Sequence, residues 1–456
     1  MTASSQVEFG DPGMLASLLS DDVYFPPEPE SIEETGVSPI IVETLICKYL
    51  LQVGSTTGRD IAKRLCLPFG IVEKLLLALR SRQVLVHQGQ AQVSDYYYAL
   101  TEQGVNRAQA AMKACAYVGS VPVPLADYIM SVEAQSIRAE AVRKEQLVAA
   151  FRGISVEPIL LDQLGPAVNS GAGLFLYGAP GNGKTTIAKR ITGCFGQHVW
   201  IPRTITEDGQ LIKLFDAACH EAVEESQDSL LQTMHSDPRW VRIRRPTVVV
   251  GGELTMDNLE IRHDPNTNVS EASIQLKSNC GCLLIDDFGR QRIDPTELLN
   301  RWIVPLENRV DYLTLATGKK IQVPFEQLII FSTNLDPMEL TDEAFLRRIP
   351  YKIEVKDPSV AEFGKMFEAA CRTFSCQFHP EAVHYLLSTH YASQRRALRR
   401  CHARDLLTQI NNYCAYHGRA MELRPDYLDR VVGSYFTAMA APQSAPAPSL
   451  KTKSPQ

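Results

Sequence analysis

The spacing of apolar residues changes period several times along the chain, and each change predicts a different element. "SPIIVETLICKYLLQ" and "TTGRDIAKRLCL" read as two helices. In "PFGIVEKLLLALRSRQ", Ile71, Val72, Leu75, Leu76 and Leu79 form one stripe of a third helix. The pattern then alternates: "VLVHQGQAQVSDYYYALTEQG" predicts two strands around a polar turn. Further on, short continuous apolar runs predict buried strands. They are the run 174–177, "CLLI" ahead of "DDFG", and "LIIFST" ahead of "NLDP". "RVDYLTLATGKKIQVPFEQ" predicts a strand pair turning at Thr317, Gly318 and Lys319.

These patterns divide the chain. Residues 1–37 are polar, acidic and proline-rich ("FPPEPESIEETG"), the composition of a flexible arm. Residues 38–113 hold the three helices and the strand pair, which resemble a winged helix and predict a small α+β domain. A linker with a helix leading into the next domain spans 114–150, and an α/β core with a parallel sheet flanked by helices spans 151–349. An all-helical region follows over 350–437, and 438–456 ("APQSAPAPSLKTKSPQ") is low-complexity and read as disordered. The length of 456 residues suits about three units of ~150 residues.

Composition narrows the class. The chain is 45% hydrophobic and 21% charged, as in a soluble globular protein, and no apolar run approaches the ~20 residues that span a bilayer. "MTASSQVEFGDPG" lacks a basic stretch followed by an apolar one, so no secretory signal is read there. Eleven cysteines without a CxxC pair suggest reduced thiols and a cytoplasmic protein. A net charge of −6 gives no global attraction to nucleic acid.

The chemistry starts at "GLFLYGAPGNGKTTIAKRI". Gly178, Ala179, Pro180, Gly181, Asn182, Gly183, Lys184, Thr185 and Thr186 follow a strand and open a helix, in the pattern G-x-x-x-x-G-K-[ST]. Glycines let backbone N–H groups wrap phosphates, and the helix N-terminus adds positive potential. Lys184 would reach the β- and γ-phosphates, and the Thr185 hydroxyl would ligate Mg²⁺. About a hundred residues on, the apolar run ends in Asp286 and Asp287. Asp286 suits Mg²⁺, and Asp287 suits the attacking water, although most chains with this arrangement carry the longer Glu there. Further on, Asn334, just after "LIIFST", could orient the same water.

Together these motifs resemble the AAA+ ATPases over residues 151–437. The resemblance implies a P-loop core with an all-helical lid, ATP and Mg²⁺ as ligands, and ATP hydrolysis. It implies that Asn334 is the sensor 1 residue and that "RRCHARDLLTQI" is a sensor 2 helix with Arg404 as its arginine. "AFLRRIPYKIEV" looks like the arginine-finger segment; "RRIP" is similar to the "GRLP" of Clp-type unfoldases, which favours Arg348, with Arg347 as the alternative. The strand pair before the last strand resembles the pre-sensor hairpin branch, with its MoxR-like and enhancer-binding members. So does the stretch "TVVVGGELTMDNLEIRHDPNTNVSEASIQLKSNCGCLLIDD", which places a long polar insertion between the helix after the loop motif and the strand of the two acids, although the activators' "GAFTGA" is missing. Replication initiators and helicase loaders of the same superfamily also read Asp-Asp, implying that Asp287 can serve.

A finger acts across a subunit interface in this family, so the resemblance implies a homo-oligomeric ring, a hexamer, that remodels a protein client chosen by the winged-helix-like domain. The alternative is a DNA-associated, ATP-gated regulator or loader. Its third helix would have to read a major groove, yet it carries only Lys74, Arg80 and Arg82 against Glu73.

Overall fold

The computed structural model describes residues 24–91, 95–139, 141–154, 156–223, 235–340 and 343–436. The chain forms two compact units, Met1–Gly178 with Lys184–Val355, and Ala179–Gly183 with Lys356–Gln456.

The first unit is built on a five-stranded sheet in the order Thr247–Val250, Cys282–Ile285, Leu328–Thr333, Leu174–Tyr177, Tyr351–Glu354. All neighbours are parallel. Side chains alternate between the two faces, and both faces are covered, which is why the three central strands are apolar almost throughout, whereas the edge strand Tyr351–Glu354 exposes Lys352 and Glu354. On one face Leu174, Leu176, Leu284 and Ile330 pack with Leu164 and Val168 of the helix Pro158–Ser170 and with Ile187 and Ile191 of the helix Lys184–Ile191. On the other, Phe175, Leu283, Ile285, Ile329 and Phe331 pack with Leu298, Trp302 and Leu306. The expected core end at 349 falls one strand short. Tyr351–Glu354 pairs in register with Leu174–Tyr177, and its Ile353 is buried in the same core.

Toward the N-terminus, the helices Pro39–Val53, Gly58–Leu65 and Phe69–Ser81 are followed by the strands Leu85–Gln90 and Tyr96–Leu100. The stripe Ile71, Val72, Leu75, Leu76 and Leu79 is buried against Val42, Ile46, Ile61 and Tyr98. The Oγ of Ser38 and the Oγ1 of Thr57 cap the first two helices by accepting from the N–H groups of Ile40 and Asp60. Periodicity missed a third, antiparallel strand, Ser55–Thr57, because it is short and polar. The helix Glu102–Ala114, capped by Thr101, also lies beyond the expected elements.

The described part of the acidic arm is not loose. Thr35 is fully buried, and its carbonyl accepts from Nη1 of the buried Arg239 at 2.7 Å. Tyr24 packs on Trp240 with ring centroids 5.5 Å apart. Residues 1–23 and the expected disordered tail beyond 436 lie outside the described residues.

The expected linker is likewise structural. Leu125, Tyr128 and Val132 of the helix Leu125–Ala134 sit in a separate apolar core. That core is shared with a second five-stranded sheet and with the strand pair His198–Pro202 and Trp240–Arg244. The expected insertion in the stretch that begins with "TVVVGG" is thus only part of a larger one, and Thr247–Val250 at its start is a strand of the parallel sheet instead. The hairpin Val310–Thr314 with Lys320–Pro324 is present. Leu313, Leu315, Ile321 and Val323 bury one of its faces in the insertion's core. At its turn, Lys319 Nζ lies 3.1 Å from Glu207 and 2.6 Å from Asp208.

The second unit is helical: Val360–Thr373, Pro380–Leu386 continuing into a π-helical turn at Leu387–Ala392, Arg400–Tyr416 and Pro425–Phe436. Phe363, Phe367, Leu386, Leu406, Ile410, Leu428 and Phe436 form its core. Among the described residues no helix is long and apolar enough to cross a membrane, and all eleven cysteines are free.

Candidate functional site

In an open parallel sheet, ligands bind outside the carboxyl ends of the strands. Here the register aligns three such ends, Tyr177 opposite Thr333 and Phe331 opposite Ile285. The residues that follow, Gly178, Asn334 and Asp286, therefore leave the sheet at one edge. Gly178 has φ +130°, and a Cβ there would stand 2.6 Å from the Val355 carbonyl, so only glycine fits.

Lys184 begins the helix after the phosphate-loop motif, and it is buried. Its Nζ donates to the Gly178 carbonyl at 2.9 Å and to Asn334 Oδ1 at 2.6 Å. The other end of that carboxamide, Nδ2, donates to Asp287 Oδ1 at 3.2 Å. Beside them the Thr185 hydroxyl donates to Asp286 Oδ2 at 2.8 Å. Asp287 is exposed and sits at φ +49°, turning the chain sharply after the strand. The turn is held by Phe288 N–H on the Ser332 carbonyl at 2.7 Å and by the Thr333 hydroxyl on the Phe288 carbonyl at 2.9 Å.

The first unit thus brings Lys184, Thr185, Asp286, Asp287 and Asn334 into one hydrogen-bonded group. A fixed cation, a hydroxyl–carboxylate pair and a second carboxylate meet there. The oxygen-only pair of Thr185 and Asp286 suits a hard, mostly hydrated cation such as Mg²⁺. Among the described residues there is no group of three or more His, Cys, Asp or Glu of the kind that holds a metal by protein ligands alone. Thr186 is exposed on the helix. Arg348 is partly buried, and its Nε donates to Glu307 Oε1 at 2.6 Å, while Arg347 is exposed.

The rest of the loop, Ala179–Gly183, belongs to the second unit. Gly181 and Gly183 take φ +82° and +83°, and a Cβ on Gly181 would meet Cys401 Sγ at 2.5 Å. Asn182 is fully buried and bonded to Asp357 and to the backbone N–H of Arg400. Pro180 and Gly181 line a cleft of about 950 Å³ together with Arg396, Arg399, Cys401 and Phe436. Arg404 does not line it: that side chain is 76% exposed and 3.6 Å from Asp405. Sequence reasoning passed over Asp357, which lies in no recognisable motif, and within "RRCHARDLLTQI" it chose Arg404 rather than Arg399. The signal that could have found Arg399 is its place just before a helix that starts with Arg400.

Residues 359–434 match the model of a family described as a domain of unknown function, DUF8689. No curated protein matches the chain. Among solved structures the chain is similar to NtrX from Brucella abortus, at 14% identity and TM-score 0.40, over 64% of this chain and 58% of that one. It is also similar to the Thermotoga maritima RuvB Holliday junction branch migration motor, at 13% identity and TM-score 0.35, over 61% and 69% of the two chains. A third likeness is to domain III of the replication initiation protein DnaA of Thermotoga maritima, at 12% identity and TM-score 0.35, over 63% and 96%. At these identities and scores none of the likenesses bears on the chemistry of the site.

Proposed function

We propose that the chain is a Mg²⁺-dependent ATPase of the AAA+ type. The observation that carries this reading is the bonding of Asn334 to both Lys184 and Asp287 beside the Thr185–Asp286 pair. Each group then has one role. Lys184 and the backbone N–H groups of Gly178–Thr185 bind the phosphates. Thr185 and Asp286 hold Mg²⁺, which neutralises charge on the transferring phosphoryl group when bound. Asp287 orients and polarises the attacking water, with Asn334 fixing the carboxylate. A missing methylene shortens Asp287 by about 1.5 Å relative to Glu, and Asn334 reaches across from the neighbouring strand to meet it. The sheet order supports the reading, since Leu328–Thr333 stands between the strand of the loop and the strand of the two acids.

The all-helical unit corresponds to the AAA+ lid, with the sensor 2 arginine at Arg404. Arg348, or Arg347, serves as a finger offered to a neighbouring protomer in a homo-oligomeric ring. The hairpin Val310–Pro324, tied to the insertion by Lys319, works on a client together with that insertion rather than alone. The N-terminal helices and three-stranded sheet are a winged-helix-like module that selects a protein client. Leu77 on its third helix is 51% exposed, and Val86, Tyr96 and Tyr97 are exposed on its strands. Exposed apolar and tyrosine side chains suit a protein interface better than a phosphate backbone. The experiment for the ATPase reading is phosphate release from ATP by the purified chain, with and without Mg²⁺. Turnover that needs Mg²⁺ and is lost on replacing Asp287 supports it; no turnover under any condition contradicts it.

A further inference from the structure

Asn182 is buried without remaining access to solvent, and both ends of its carboxamide are in use. Nδ2 donates to Asp357 Oδ1 at 2.7 Å, and Oδ1 accepts from the backbone N–H of Arg400 at 3.3 Å. The second oxygen of Asp357 pairs with the Arg399 guanidinium. One residue on, the Cys401 N–H donates to the Gly181 carbonyl at 2.9 Å. The loop between Gly181 and Gly183 has little conformational preference of its own, because both glycines take positive φ at no steric cost. Its shape therefore depends on what grips Asn182.

We infer that Asp357 is a positioning residue for the phosphate loop, acting through Asn182. The inference rests on the reading above that this loop binds ATP phosphates, and it adds a residue outside every recognised motif. Asp357 fixes the carboxamide of Asn182, the carboxamide fixes the backbone between the two glycines, and the N–H groups there converge on phosphate without reorganising. The second oxygen, held by Arg399, keeps the carboxylate from rotating away. Losing a buried hydrogen bond to a charged group corresponds to a loss of affinity of about 10- to 100-fold. A surface carboxylate with a structural role only would lower the melting temperature and leave nucleotide affinity unchanged.

The test measures affinity of the full chain for a fluorescent, slowly hydrolysed ATP analogue. Wild type and Lys184→Ala come first: binding by the former and its loss in the latter establish the loop as the site. Asn182→Ala and Asp357→Ala should then each weaken binding about 10- to 100-fold. The double variant should be no weaker than the weaker single, because both remove one interaction. Asp357→Asn keeps an oxygen for Asn182 to donate to but loses the charge and the hold of Arg399, so it should weaken binding, though less than Asp357→Ala does. It also serves if Asp357→Ala does not fold: unchanged affinity in Asp357→Asn would overturn the inference. Wild-type affinity in both alanine variants, or strictly additive losses, would overturn it while leaving the ATP reading intact. If wild type itself does not bind, the ATP reading fails and the inference with it.

Discussion

The ammonium of Lys184 and the carboxamide oxygen of Asn334 meet at 2.6 Å across 150 positions of sequence. The lysine follows the strand Leu174–Tyr177 and the asparagine follows Leu328–Thr333, its neighbour in the sheet. The contact joins the lysine of the loop to the carboxylate after the neighbouring strand, because the same carboxamide also bonds Asp287.

Lys184→Ala should abolish ATP binding, since it removes the fixed cation from the loop. Isothermal titration of the purified variant checks this, and a wild-type dissociation constant would mean that the loop does not bind phosphates.

Arg348→Ala should bind ATP normally and hydrolyse it poorly, by a factor on the order of 10³ in a fully dependent site. Mixed with Lys184→Ala it should regain part of the activity, because a protomer with a dead loop can still lend its finger. Arg348 pairs with Glu307 within the chain, so the variant must first be shown to fold. No regain at any ratio, with both proteins folded and co-assembling, would move the role to Arg347 or to a finger acting within one protomer.

Much of this site was legible from one-dimensional signals. The loop motif announces Lys184 and Thr185, and strand-length apolar runs ending in polar residues announce Asp286, Asp287 and Asn334. The order of the strands was not legible, because short apolar runs carry no record of which neighbours which, and the edge strand Tyr351–Glu354 is too polar to read as such a run. The strand Ser55–Thr57 has no apolar position to betray it. The packed part of the arm was hidden for another reason: Thr35 is buried through a bond to Arg239, more than two hundred residues away. Composition alone reads such a stretch as loose.

His402 provides a pH signature. Its side chain is buried, and Tyr391 Oη shares a 2.8 Å hydrogen bond with its Nδ1. Burial, helped by the positive charge of Arg399 and opposed by Asp405 and Asp357, lowers its pKa from 6.5 to about 4. The unfolded chain therefore binds a proton that the folded chain refuses between about pH 6.5 and pH 4. The stability contribution is complete above pH 6.5 and falls as pH drops through that window, by about 2 kcal/mol at pH 5. Thermal melts of the full chain at pH 7.5 and 5 should fall more steeply in wild type than in His402→Gln. Equal slopes would show that His402 is not the group responsible.

The full chain should bind DNA weakly and without sequence preference. The exposed side of the helix Phe69–Ser81 offers Lys74 and Arg80 beside the apolar Leu77, and neutralising so few phosphates releases few counterions. Titration against random and genomic duplexes at ~0.15 M salt reads this out. Nanomolar, sequence-selective binding would put the DNA-gated alternative first.

The central claim is that the group formed by Lys184, Thr185, Asp286, Asp287 and Asn334 hydrolyses ATP, with Asp287 acting on the water. The most direct measurement pairs ATP affinity with steady-state phosphate release for wild type and Asp287→Asn in the presence of Mg²⁺. Loss of an acid that polarises the attacking water should cut turnover by a factor of about 10²–10⁴. Affinity for ATP and Mg²⁺ should stay close to wild type, since Lys184, Thr185 and Asp286 remain. Wild-type turnover in Asp287→Asn would contradict the account.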